Sequence, residues 1–182
     1  GKGKERWPQV RLGDVCTITM GQSPESSSYN DRGDGLPFYQ GNADFGNLHP
    51  TTRYWCSRPK KLADINDVLI SVRAPIGAVN LAVEKCCIGR GLASITAKNN
   101  CSDFKYLYYA LISKTNELNV KGTGSTFKAI KKTTLEETQI PLPPLPEQRR
   151  IAAVLDQVSS LIALRKAQLA KLDLLVKARF VE

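Results

Sequence analysis

Side chains that carry paired hydrogen-bond donors and acceptors sit in or beside glycine-containing turns in this sequence. Gln22, Tyr29, Gln40, Asn42, Arg73 and Arg90 are the clearest cases. A guanidinium can hold guanine O6 and N7 together, and a carboxamide can hold adenine N6 and N7. A second feature is cationic. Between Lys114 and Lys132 five lysines stand against Glu117 alone, around Gly122-Thr123-Gly124-Ser125-Thr126. Glycines let a backbone approach phosphates closely, and hydroxyls and N–H groups bond phosphate oxygens. A solvated loop is the plainer alternative for the same residues.

Other chemistries lack their residues. His49 is the only histidine, so a second histidine for a metal is missing, and a lone one in a polar loop reads as ordinary surface. No G-x-x-x-x-G-K-[ST] loop occurs, and no G-x-G-x-x-G follows a strand. An amino-methyltransferase that uses S-adenosylmethionine would need an Asn/Asp-Pro-Pro-aromatic tetrapeptide, and Leu142-Pro143-Pro144-Leu145 is not one. Asp103, Lys105 and Glu84 have part of a nuclease pattern, but an acid and a lysine at the start of a predicted helix are normal surface residues. Five cysteines, an odd count with no C-x-x-C spacing, form neither a disulfide framework nor a zinc site. They read as small buried thiols of a reducing cytoplasm. No catalytic residue, cofactor or metal is expected.

The elements that must position these residues fall into two parts. Four prolines lie between Pro141 and Pro146, which predicts a stiff extended connector. Before it, Val10–Met20, Asp67–Val72, Val79–Val83 and Gly91–Thr96 carry strand patterns. Asp103–Ser113 has helical spacing, with Ser102 as its expected N-cap. This part is predicted as a strand-rich α/β or α+β domain with long loops. After the prolines, Glu147–Phe180 has no glycine or proline. Leu155, Ile162, Leu169 and Val176 recur every seven residues, and Ile151, Val158 and Leu172 form a companion row that Arg165 and Arg179 would continue. Val154, Leu161 and Leu175 widen the stripe. That is an amphipathic helix suited to pairing with another helix. At roughly 50 Å it is too long to be covered by a body whose radius of gyration is only ~14 Å.

The chain has 182 residues, 42% of them apolar, and a formal net charge of +9. It is therefore long enough for a real core. The charge favours polyanions. Before residue 146, 19 lysines and arginines face 13 acids, a net of +6. No run of 18 apolar residues exists to cross a membrane. Gly1–Arg6 lacks the apolar stretch of a signal peptide and reads as a linker or cloning remnant.

Four blocks together resemble the specificity subunit of type I restriction-modification systems. The first is Trp7-Pro8-Gln9-Val10-Arg11-Leu12-Gly13-Asp14-Val15, with Gly21-Gln22-Ser23-Pro24 and Tyr29. The second is Leu36-Pro37-Phe38-Tyr39-Gln40-Gly41-Asn42-Ala43-Asp44-Phe45. The third runs from Asp67 to Gly77, with Ile88-Gly89-Arg90-Gly91-Leu92-Ala93. The fourth runs from Ile140 to Ile151 and enters the helix. They stand in the family's order and cover nearly the whole chain.

The resemblance implies a division of labour. Residues 1–145 would be a target recognition domain reading one half of a split site in double-stranded DNA. Residues 146–182 would be a spacer helix that pairs as an antiparallel coiled coil and docks on methyltransferase subunits. Adenine methylation and DNA cleavage would belong to those methyltransferase partners and, through them, to restriction subunits. The chain itself would be a non-catalytic, cytoplasmic subunit. The candidate DNA contacts are Gln22, Ser23, Tyr29, Arg32, Lys60, Lys61, Arg73, Arg90, Lys121, Ser125, Thr126 and Lys128. Arg73 and Arg90 belong to shared blocks, so they suit phosphates or internal ion pairs. Base contacts are expected instead from Ser26–Asp34, Asn47–Lys61 and Val120–Lys128, where Tyr54, Trp55 and Phe127 lie. The helix interface would use Ile151, Leu155, Val158, Ile162, Leu169, Leu172 and Val176.

Many members carry two recognition domains and two spacers, so this chain is expected to be a natural half-subunit or a piece of a longer one. A half-subunit should form a homodimer on a gapped palindrome. A helix-mediated adaptor, a nuclease fragment, or a piece of a fused restriction-methylation enzyme are the alternatives.

Overall fold

The computed structural model describes residues 7–98, 101–124 and 128–180. In chain order it contains β1 (Gln9–Arg11), α1 (Leu12–Val15), β2 (Cys16–Met20), β3 (Tyr29–Asn30), β4 (Leu36–Tyr39), β5 (Tyr54–Cys56), β6 (Leu62–Ala63), β7 (Val68–Ser71), β8 (Val79–Leu81), β9 (Cys86–Ile88) and β10 (Leu92–Ala97). Then follow α2 (Phe104–Ile112), α3 (Thr115–Lys121), α4 (Lys132–Glu136), β11 (Gln139–Pro141) and the long α5 (Leu145–Phe180). The architecture is strand-rich sheets followed by one long helix.

The strands form a four-stranded sheet in the order β2-β10-β7-β8 and a five-stranded sheet in the order β3-β5-β4-β9-β6. The first is antiparallel throughout. In the second, β4 and β9 run parallel. β1 and β11 pair as a separate antiparallel ribbon. The apolar run at β7 is continuous because both its faces are covered. Val68, Ile70 and Val72 point into the larger core with Leu107 and Leu111 of α2. Leu69 points the other way, toward Tyr39, Ile88 and Leu92 between the sheets.

The stretch from Val10 to Met20, expected as one strand pattern, is interrupted. The turn α1 redirects the chain from the β1–β11 ribbon into β2. Leu12 is fully buried and its N–H donates to Thr138 O at 2.8 Å. Gly13 lets α1 touch α4: a Cβ there would stand 2.9 Å from Glu136 Cβ. The expected cap of α2 is also corrected. Asp103, not Ser102, is the N-cap, accepting from Tyr106 N at 3.0 Å. A carboxylate suits the positive end of a helix. Ser102 is buried and donates instead to Gln148 Oε1 at 3.2 Å.

The prolines run extended through β11 until the helix begins at Leu145, with Pro146 in its first turn, where a missing N–H costs nothing. Gln148 then locks the helix to the body. Its side chain is fully buried. Oε1 accepts from Ser102 Oγ and from Asp103 N (2.9 Å), while Nε2 donates to Cys101 O (3.2 Å) and Pro143 O (2.8 Å). One turn further on, Ala152 is buried, and Ile151 packs against the larger core. Asp156 then binds the Lys105 ammonium and accepts from the Tyr109 hydroxyl at 2.8 Å. Beyond it, residues 157–179 of α5 are exposed.

Two outcomes follow for this junction. Gln148→Leu keeps the volume but strands the partners of the amide. It should lower the unfolding free energy by on the order of 3 kcal/mol, read from urea unfolding; a loss within the scatter of surface substitutions contradicts the lock. Asp156 titrates low: burial opposes its ionisation, but Lys105 and Tyr109 outweigh that and hold its carboxyl below the ordinary range. A depressed folded pKa gives stability that is complete above the unfolded value of about 3.9. It is lost as pH falls through the lower folded value. The stability difference between the native chain and Asp156→Asn should therefore shrink below about pH 4, measured by urea unfolding at stepped pH.

Candidate nucleic-acid interface

Four strand ends converge at one place. The chain leaves β2 through Gly21-Gln22-Ser23, and Gly21 N and Gln22 N donate to Leu92 O (2.8 Å) and Ile88 O (3.0 Å). It leaves β4 through Gln40-Gly41-Asn42, and the tight turn between β9 and β10 lies against that segment. Gly89 N donates to Tyr39 O at 2.8 Å and Gly91 N to Gln40 O at 3.1 Å. The end of β7 completes the group, with Val72 N on Gly91 O at 2.9 Å. The glycines are required by proximity: a Cβ on Gly91 would stand 2.5 Å from Gln40 O, and one on Gly21 2.7 Å from Leu92 O.

These ends frame a cleft of about 240 Å³ lined by Gln40, Gly41, Asn42, Ser71, Arg73, Ala74, Arg90 and Gly91. Gln40 is held from two sides. Its backbone N–H donates to Asp44 Oδ2 at 2.7 Å, and its Nε2 donates to Ser23 Oγ at 2.8 Å. Ser23 Oγ also accepts from Arg90 N at 3.3 Å. Arg73 and Arg90 are exposed. Among the described residues neither takes part in an ion pair. Of the two roles expected for these arginines, internal pairing is not seen among the described residues. Two exposed guanidiniums beside a fixed carboxamide, that of Gln40, are suited to oxyanions and to planar groups with adjacent acceptors.

The structure thus brings Gln22, Ser23, Arg73 and Arg90 together across the sequence. Lys128 joins them, because Ala74 N donates to Lys128 O at 3.2 Å. Other candidates lie elsewhere. Tyr29 stacks on Phe38 with ring centroids 4.6 Å apart, and its hydroxyl donates to Pro24 O at 2.9 Å. It is engaged in packing. Arg32 is exposed in the loop between β3 and β4, and Lys60 and Lys61 are exposed before β6. Ser125, Thr126 and Phe127 lie outside the described residues. Tyr54 is exposed on β5, while Trp55 is half-buried.

In the lysine-rich stretch three of the five lysines are engaged with acids. It opens as the helix α3, not as a loop. Lys121 and Lys114 both bind Glu117, at 2.6 and 3.0 Å. These two hydrogen bonds, that from Lys121 the stronger influence, hold the Glu117 carboxyl below its usual range. Lys132 lies 3.8 Å from Glu136. The partial nuclease pattern is not assembled: Asp103 caps α2 and Lys105 binds Asp156. His49 is an exposed loop residue whose Nδ1 lies 2.9 Å from Leu81 O.

Gln148 and Asp156 were not singled out by the sequence as anchors. Their signal was weak but present: a glutamine two residues after the last proline, and one acid on a helix face otherwise rich in serine and alanine.

Comparison with known proteins agrees with this geometry. The family profile of the type I restriction modification DNA specificity domain matches residues 4–174. The chain is 44% identical over 175 residues to the type I restriction enzyme MjaX specificity subunit of Methanocaldococcus jannaschii, covering 95% of this chain and 41% of that protein. It superposes on the crystal structure of an HsdS subunit from Thermoanaerobacter tengcongensis with a TM-score of 0.79 and 51% identity, over 92% of this chain and 42% of that one. A chain from a structural study of assembly and conformational transition in a type I R-M system gives 0.88 and 50%, over 98% and 44%. The chain spans about two fifths of the length of these relatives. With most of its length matched by the profile and by relatives this similar, the chain belongs to the family of type I restriction-modification specificity subunits.

Proposed function

We propose that this chain is the DNA-recognition component of a type I restriction-modification complex and reads one half of a bipartite site in double-stranded DNA. The observation that carries this is the convergence of Arg73 and Arg90, unpaired among the described residues, with the pinned Gln40 and with Asn42 at four strand ends. Phosphates would be held by Arg73, Arg90 and Lys128, with Gln22 and Ser23 beside them. Arg32, Lys60, Lys61 and Lys121 would extend the cationic surface, and Ser125 and Thr126 belong to the same proposal by sequence. Bases would be read from the loops around this core.

Residues 1–145 act as the recognition domain in this reading and residues 146–182 as the spacer. The stripe of α5, half-buried at Leu155 and exposed at Val158, Ile162, Leu169, Leu172 and Val176, pairs with another helix and docks methyltransferase subunits; Ile151, expected in the same stripe, packs on the core instead. Those partners, and restriction subunits through them, perform methylation and cleavage in the cytoplasm, and this chain contributes no catalytic group. No helix among the described residues is long and apolar enough to cross a membrane.

The test is selection from a random duplex pool by the chain mixed with its cognate methyltransferase subunit, at two salt concentrations. A gapped motif should be enriched, with affinity that falls as salt rises. Arg73→Ala or Arg90→Ala should weaken binding about evenly across sequences and reduce the salt slope by roughly 0.9 for each phosphate lost. A stable protein complex with no enriched sequence would overturn the proposal and leave a helix-mediated adaptor.

A further inference from the structure

The turn that carries Gln40 and Asn42 into the cleft is held from behind by one carboxylate. Asp44 is buried, and its Oδ2 accepts from Gln40 N at 2.7 Å and from Gly41 N at 3.3 Å. Its own N–H donates back to Gly41 O at 3.1 Å. Its Oδ1 accepts from Arg53 Nη2, which also donates to Ala43 O at 3.1 Å. Arg53 belongs to the far end of the same loop, just before β5. Neither Asp44 nor Arg53 lines the cleft.

The rest of the loop is fixed by other groups. Asn80 bonds both Gly46 N and Gly46 O at 3.0 Å, and the Tyr39 hydroxyl meets Thr52 Oγ1 at 2.7 Å. The start of the loop depends on Asp44. A carboxylate suits two converging N–H groups because it offers acceptors alone, and bonds to an ionised acceptor are the stronger kind. Burying that charge is costly unless it is paired, and Arg53 supplies the pair. It also offsets a negative charge that would otherwise stand behind a phosphate-binding surface.

We propose that Asp44, braced by Arg53, is a positioning residue for DNA recognition: without touching DNA, it holds the Gln40-Gly41-Asn42 wall of the cleft in fixed register with the loop from Asn47 to Lys61 that reads bases. The proposal rests on the reading of the cleft as the DNA-binding face and adds what aligns it. The cations of the cleft attract phosphates whatever the sequence. Discrimination needs more, because phosphate contacts set the register in which base-reading side chains meet the duplex. Loosening the link between cleft and loop should therefore cost recognition of one sequence and spare binding to the rest.

The test uses the full chain with its methyltransferase subunit and two duplexes of equal length, one bearing the motif that the native chain selects and one with that motif scrambled. Asp44→Asn keeps the size but turns one acceptor into a donor. It should lower affinity for the motif on the order of tenfold and leave the scrambled duplex unchanged. Arg53 is exposed, so Arg53→Ala tests the brace even if Asp44→Asn fails to fold. It should reduce the ratio of the two affinities in the same way, with an unchanged salt slope, and Arg53→Lys, which keeps the charge and a donor, should restore most of the ratio. Urea unfolding of each variant accompanies the binding. Equal losses on both duplexes show a structural role alone and overturn the proposal. A salt slope reduced by roughly 0.9 in Arg53→Ala shows that Arg53 itself grips a phosphate, and overturns the brace. A motif selected equally well by the native chain and the variants removes the positioning role and leaves DNA recognition standing. If the native complex selects no motif, DNA recognition falls and the positioning role falls with it.

Discussion

The direction in which α5 leaves the body depends on one buried carboxamide. Apolar contacts are non-directional, and a helix held only by Ile151 and Ala152 could rotate or slide at little cost. Gln148 removes that freedom. It joins its own turn to Cys101, Ser102 and Asp103 ahead of α2 and to Pro143 in the connector. Each of these groups would be unsatisfied if the helix turned away, at a cost of ~1–3 kcal/mol apiece. Asp156, two turns later, adds Lys105 and Tyr109 of α2. The helix therefore projects in a defined direction from the end of the domain that carries β1 and β11, since Tyr106 of α2 also donates to Pro141 O.

That rigidity matters because the cationic cleft lies on the sheets, away from α5. Val72 N and Ile130 N link the end of β7 to Gly91 and to the segment following Lys128. Val72 at the end of β7 and Ala152 of α5 belong to one hydrophobic core with Leu107 and Leu111 of α2, so the cleft and the docked turns of the helix are parts of one packed body. Close packing at Gly21, Gly89 and Gly91 serves the same end. It lets four chain segments meet with no side chain between them, so the arginines project from a stiff base that loses little entropy on binding.

Much of this was legible in the sequence, for identifiable reasons. The β7 run and the α5 stripe were readable because each buries or presents a periodic face over enough residues to stand out. The gathering of Ser23, Gln40, Arg73 and Arg90 was suggested only as separate glycine-flanked polar residues; their meeting depends on β4–β9 and β2–β10 pairing that no local pattern encodes. The β1–β11 ribbon joins residues from opposite ends of the domain in strands of three residues, too short for alternation to register. Ser102 and Asp103 are both good caps by type, and the choice between them came from Gln148, a tertiary partner invisible at that position. The lysines near Lys121 looked unopposed in composition because helical spacing lets the single Glu117 pair with two of them, Lys114 and Lys121.

The two faces of α5 divide two requirements that one face could not meet. Docking on the body uses a polar row, and hydrogen bonds specify geometry while contributing little net stability apiece. The apolar row stays exposed, and burial of apolar surface is the larger source of association energy. Reversing this assignment would cover Leu169 and its neighbours only as far as the small body reaches, leaving most of a helix about 54 Å long with nothing but polar contacts to offer. Exposed leucines over so long a stripe are a solubility liability, and they are tolerable only if a partner covers them along most of their length. A short apolar patch on a globular surface would fit that demand poorly. Another long amphipathic helix, the partner proposed above for α5, fits that demand well because it can run beside the stripe along its whole length.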